Sequence, residues 1–159
     1  MRERAVSVSV VSVVLALFFA GTGWGEPLQK KSVSLEDARK AAAAAAVEAK
    51  KNKWNVSIAV VDDGGHLIYF ERIDEASIAS ADVAIGKART AVAYKRPTKA
   101  LEDAIAGGRN AVLALPGSMP LEGGLPIFID GKVAGGIGVS GAKSSEDVQA
   151  AKAGVDALK

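Results

Sequence analysis

Leu125-Pro126-Ile127-Phe128-Ile129-Asp130-Gly131-Lys132-Val133-Ala134-Gly135-Gly136-Ile137-Gly138-Val139 is the stretch that decides the fold. Two apolar, β-prone runs flank Asp130-Gly131, a dipeptide suited to a type I′ turn, so residues 125–129 and 132–139 read as a hairpin. Strands joined by so tight a turn run antiparallel. The same grammar recurs upstream: Val56 to Val61, the turn Asp62-Asp63-Gly64-Gly65, then a second strand from Leu67 to Phe70.

Helices surround these hairpins. Ser34 with Asp37 resembles a capping box, and Leu35 to Lys51 is alanine-rich, which costs almost nothing to make helical. Asn52 closes that run. A long helix is expected from Ser77 to Tyr94, with Ile78, Ala81, Ile85, Ala88 and Val92 as its inner stripe. Pro97 ends it. A shorter helix follows Thr98 as far as Ala106, with Leu101, Ala104 and Ile105 inward, and Gly107-Gly108 stops it. Ala111 to Leu115 reads as one more short strand. Ser144 with Asp147 signals a closing helix whose inner face carries Val148, Ala151, Val155 and Leu158. The expected order is therefore α-β-β-α-α-β-β-β-α: an α+β fold, with an antiparallel sheet of about five strands packed against helices.

With 159 residues, 49% hydrophobic and 24% charged, the chain suits one domain with a modest core. Aromatics are only 5%, net charge is +2, and basic residues are interleaved with acidic ones, which argues against nucleic acid or an anionic membrane as partner. The absence of cysteine excludes disulfides, thiolate catalysis, zinc fingers and iron–sulfur clusters. At the start, Arg2 and Arg4 precede the apolar run Ala5 to Ala20, and Gly23-Trp24-Gly25 resembles a small-x-small cleavage site. That three-part layout predicts a signal peptide over 1–25 and a single exported domain over 26–159, periplasmic or extracellular, with no membrane association after cleavage. An uncleaved anchor is the alternative, although the run falls short of the roughly 20 residues a span needs.

Five segments in matching order resemble the GlcG/HbpS family, which includes the C-terminal domain of PduO-type proteins. They are Val60-Val61-Asp62-Asp63-Gly64-Gly65-His66-Leu67, Glu71-Arg72-Ile73-Asp74, Lys87-Ala88-Arg89-Thr90-Ala91, Gly123-Gly124-Leu125-Pro126-Ile127 and Gly135-Gly136-Ile137-Gly138-Val139-Ser140-Gly141. The likeness covers about Val33 to the C-terminus. It departs from the family pattern at Ile73, where methionine or leucine is commoner, and at Glu75, where glycine is. The resemblance implies a profilin-like α/β sandwich, homo-oligomeric assembly and haem binding in some members. The family has been named for haem degradation, and other members are encoded beside glycolate or propanediol metabolism.

Against that background each candidate residue has two readings. His66, the sole histidine, is the best side chain for ligating haem iron; otherwise it is a turn residue bonded to local backbone. Tyr69, Tyr94 and Met119 are fallback ligands, or packing. Arg72 suits a haem propionate or another carboxylate; otherwise it belongs to an ion pair, with Asp74 as one candidate. Lys87 and Thr90, one helical turn apart, suit an anionic group or a solvated edge. Arg89 and Lys95 read as solvated. Gly123 and Gly124 suggest close backbone approach to a ligand or subunit, or a plain turn. Gly136, Gly138 and Gly141 spell G-x-G-x-x-G, but no second strand follows the last helix, which argues against a dinucleotide site. Those glycines are expected to let a strand pack tightly against the alanine-rich helix. An exported haem-binding homo-oligomer leads. An enzyme acting on haem or a small carboxylate or carbonyl metabolite comes second, since no general base stands at a recognisable spacing. An accessory or sensor subunit comes third.

Overall fold

The computed structural model describes residues 25–159; all but the last residue of the expected leader lies outside the described residues. In chain order the elements are α1 (Leu35–Lys51), β1 (Ser57–Asp62), β2 (Leu67–Arg72), α2 (Ile78–Ala93), α3 (Lys99–Ala106), a 3-10 turn (Asn110–Ala114), β3 (Gly124–Ile129), β4 (Lys132–Ser140) and α4 (Ser144–Asp156). The strands form one antiparallel sheet in the order β2-β1-β4-β3. No described helix is long and apolar enough to cross a membrane.

The fold class is α+β as expected, but the sheet has four strands, not about five. Ala111 to Leu115 is not a strand. Val112 donates its N–H to Arg109 and Leu115 to Val112, the i to i+3 spacing of a 3-10 turn. A short apolar run lacks the alternation that separates strand from helical turn, and its alanines and leucines favour the helical choice.

Alternation along β1 sends Ile58 and Val60 to one face, with Ile137 and Val139 of β4, against α1 and α4. Ala59 and Val61 face α2, with Ala84, Ala88 and Val92. The sheet is thus covered on both faces. On the first face the alanines of α1 let α4 come close: a Cβ on Gly154 would stand 2.7 Å from the Ala41 carbonyl. On the second face α2 lies directly on β4, and a Cβ on Gly138 would collide with the Ala84 carbonyl oxygen. The strand's glycines therefore receive α2, not the alanine-rich α1. That contact changes the inner stripe of α2. Ser80, Ala84, Lys87, Ala88, Ala91 and Val92 are buried, whereas Ile78 is 86% exposed.

The turn at Asp130-Gly131 has φ 50° and 72°, as a type I′ turn requires. Helices α1 and α2 end alike, each with a lysine in the left-handed region where glycine is usual. Lys53 N–H bonds Lys50 O and Trp54 N–H bonds Ala49 O; Lys95 N–H bonds Val92 O and Arg96 N–H bonds Ala91 O. This is the Schellman arrangement. At α4 the start falls one residue earlier than the sequence suggested: Glu146 accepts the Lys143 N–H at 3.0 Å, leaving Asp147 for another task.

Candidate functional site

Four of the singled-out residues meet in a closed junction between α2, β3 and β4. Lys87 Nζ donates to Asp147 Oδ2 at 2.8 Å and to Val139 O at 2.9 Å. Asp147 Oδ1 accepts the Ala142 N–H at 3.0 Å. Burial pushes the Asp147 carboxyl above its ordinary pKa, against the pull of the Lys87 ammonium and the Ala142 N–H. Gly123 fits here because φ is +122° and a Cβ would lie 2.8 Å from Lys87 Nζ. Thr98 clasps Gly124, accepting its N–H at 2.9 Å. Thr90 donates to Gly86 O at 2.8 Å and accepts the Met119 N–H at 2.7 Å. The close approach at Gly123-Gly124 is thus to the chain's own Lys87 and Thr98, and the polar atoms of this junction are satisfied internally.

The other two candidates stand apart. Arg72 lies exposed at the far end of β2, about 17 Å along the strand from its start at about 3.3 Å per residue. It makes no ion pair with Asp74 among the described residues; both are exposed. His66 sits at the other end, where the β1–β2 turn is built by Asp62. The Asp62 carboxylate accepts the N–H of Gly64 at 2.9 Å and of His66 at 2.8 Å. The imidazole Nδ1 lies 3.5 Å from the same oxygen, and the side chain is 83% exposed. That contact is too long for a strong hydrogen bond, so the exposed imidazole is only loosely tethered, and its other nitrogen points away from the Asp62 contact and is available to a ligand.

Beside His66 the surface is concave. Two adjoining cavities, of 520 Å³ and 460 Å³, share Asp63, Val92 and Lys95 and make one groove. It runs from the β1–β2 turn, past the end of α2, to the β3–β4 turn. Val92, Val133 and Phe128 give it an apolar middle. Arg89, whose Nε donates to Gly65 O at 3.1 Å, stands near His66. Lys95 and Lys132 line the groove and form no ion pair among the described residues. The lead-in Leu28–Lys31 forms the outer wall, tied down by Lys31 to Asp130 at 2.9 Å and by Val33 N–H to Ala134 O.

Nothing in the residue pattern of Leu28–Lys31 marks it as a wall, and Lys95 reads from sequence as a solvated residue. Its position after the end of α2 and before Pro97 is the signal that would have drawn it in. Tyr69 is half-buried on β2, the Tyr94 hydroxyl donates to Pro116 O at 2.7 Å, and Met119 packs on Gly86. No group of three or more potential metal-binding side chains converges among the described residues.

The donor set fits haem: one accessible imidazole, an apolar floor, and uncompensated cations for two carboxylates. The volume of either cavity lies within the roughly 300–1,000 Å³ usual for small-molecule and cofactor sites.

Known proteins show the same architecture. Protein GlcG of Escherichia coli strain K12 is 46% identical over 98 residues, 62% of this chain and 73% of that protein. A double mutant of Streptomyces reticuli HbpS superposes with a TM-score of 0.79 at 40% identity, covering 85% of this chain and 92% of that one. A PduOC:Heme complex superposes with a TM-score of 0.73 at 28% identity, covering 79% and 94%. The family described as "Haem degrading protein HbpS-like" matches residues 33–156, nearly the whole described chain, and the protein belongs to it.

Proposed function

We propose that this chain is an exported haem-binding protein that holds haem in the groove between the β1–β2 and β3–β4 turns. The observation that carries the reading is the order of chemistry along that groove: the free imidazole of His66, then the apolar Val92, Val133 and Phe128, with unpaired Lys95 and Lys132 beside them. Membership of an HbpS-like family and likeness to a haem complex support it. His66 is the proposed iron ligand. Lys95 and Lys132 are the proposed propionate partners, in preference to Arg72, which is remote, and Lys87, which is already engaged.

Export, with cleavage near Glu26, rests on the leader's layout; N-terminal sequencing of the protein from the exported fraction tests it. Assembly with further copies is supported by an apolar concavity of 680 Å³ beside the β3 edge, lined by Leu125, Pro126, Phe128, Val148 and Val155. Sedimentation tests that.

The deciding experiment is a hemin titration followed in the Soret region, with His66→Ala alongside. A saturable shift lost in the variant is expected. A shift retained in the variant removes His66 as ligand, and no saturable shift removes the haem reading. The family description favours one second reading, turnover of haem. Bleaching of the Soret band with reductant and oxygen, with release of iron, would establish it; an intact spectrum leaves binding alone.

A further inference from the structure

A separate cavity of about 460 Å³ lies between the end of α2, α3 and the 3-10 turn. Its floor is apolar, with Leu101 and Val112 each 5% exposed. Its polar lining is Tyr94, Arg96 and Arg109, and among the described residues no carboxylate lines it. The two cavities of the groove share Asp63, and the concavity beside β3 has Asp156 in its wall.

The placement of the two arginines is built into the backbone. Arg96 follows the left-handed Lys95 that closes α2, and its Nε donates to Tyr94 O at 3.1 Å, which leaves the terminal nitrogens free. Arg109 follows Gly108, at φ 90°, and its backbone N–H bonds Ala104 O at 2.8 Å. Its guanidinium has no hydrogen bond or ion pair among the described residues. The Tyr94 hydroxyl, bonded to Pro116 O, ties the 3-10 turn to the end of α2 and fixes the gap between them.

We propose that this cleft binds a small organic carboxylate with a short apolar tail. Guanidinium forks match a carboxylate in shape and charge. The tail leaves water against Leu101 and Val112, a gain that a compact hydrated anion such as phosphate does not have. The site is distinct from the haem groove and stands whether or not haem binds.

The test is an amide correlation NMR titration of the purified protein with butyrate, butyramide and inorganic phosphate. Butyrate is expected to shift Ala104, Arg109 and Val112 saturably, butyramide to shift none of them, and phosphate to bind about 10-fold more weakly. Arg96→Gln and Arg109→Gln should each weaken butyrate about 10-fold, as loss of a charge-assisted hydrogen bond does. The remaining resonances, unmoved, certify the fold of each variant. Equal shifts from butyrate and butyramide, no saturation, or unchanged affinity in both variants would overturn the site. Phosphate binding as tightly as butyrate would overturn the ligand class.

Discussion

Lys87 and Asp147, sixty positions apart in the chain, meet at 2.8 Å with side chains only 2% and 3% exposed. The pair joins α2 to the start of α4, and the second Lys87 bond, to Val139 O, adds β4. Removing one member strands the other's charge in the interior. Lys87→Met or Asp147→Ala is therefore expected to cost about 3–5 kcal/mol, whereas Lys87→Met with Asp147→Leu should recover most of the loss. Urea midpoints decide this; single variants within about 1 kcal/mol of wild type would class the pair with weak surface bridges.

Gly138→Ala should destabilise by about 1–3 kcal/mol or more, since its Cβ would meet the Ala84 carbonyl and lift α2 from β4. Thermal melting is the measurement. An unchanged Tm would mean that α2 can slide at no cost.

Glu75, the position at which the family more often carries glycine, has φ 66°. A non-glycine residue there carries a left-handed cost of roughly 1–2 kcal/mol, partly offset because glycine loses more freedom on folding. The bond it gives up, Asn55 Nδ2 to Glu75 Oε2, is long at 3.4 Å and exposed. Glu75→Gly is thus expected to be neutral to mildly stabilising, by up to about 1 kcal/mol in denaturant titration. A clear loss would assign the Asn55 contact a larger role.

Burial pushes Asp62 upward, but the N–H groups of His66 and Gly64 and the nearby imidazole outweigh it, so its pKa lies below the ordinary carboxylate value. The folded protein then binds fewer protons than the unfolded chain around that window. The contribution is present above the unfolded pKa, near 3.9, and disappears as pH falls through the lower folded value. Asp62→Asn should flatten the stability–pH curve there. Parallel curves for variant and wild type would contradict this.

Lys95→Glu with Lys132→Glu should weaken hemin binding and remove much of its dependence on salt, because these lysines face the groove with no ion-pair partner among the described residues. Equal affinity at low salt in the variant would move the carboxylates elsewhere.

Most of the frame was legible in the sequence because local chemistry decided it. Asp130-Gly131 sets a hairpin by itself, and the alanines of α1 with Ser34 set a helix to the residue. What was illegible depended on partners. Nothing around Ala111–Leu115 says which edge is free to pair. The inner stripe of α2 could not be read from its apolar residues, because β4 offers glycines that accept Ala84 and Ala88. Lys87 reads as a surface anion grip until Asp147 is seen opposite. The groove is assembled from two turns, a helix end and the lead-in, so only His66 could be singled out in advance.

The seam between α2 and β4 has one more effect. At Gly136 and Gly138 the strand meets the main chain of α2 at Ala88 and Ala84, with no glycine side chain to act as a spacer, so the end of α2 is held at a fixed height over both turns. The two turns and the helix end that carry the groove's side chains are thereby kept at a constant spacing. Exchanging Lys95, Phe128 or Lys132 can retune what the protein accepts without moving the main chain that supports them.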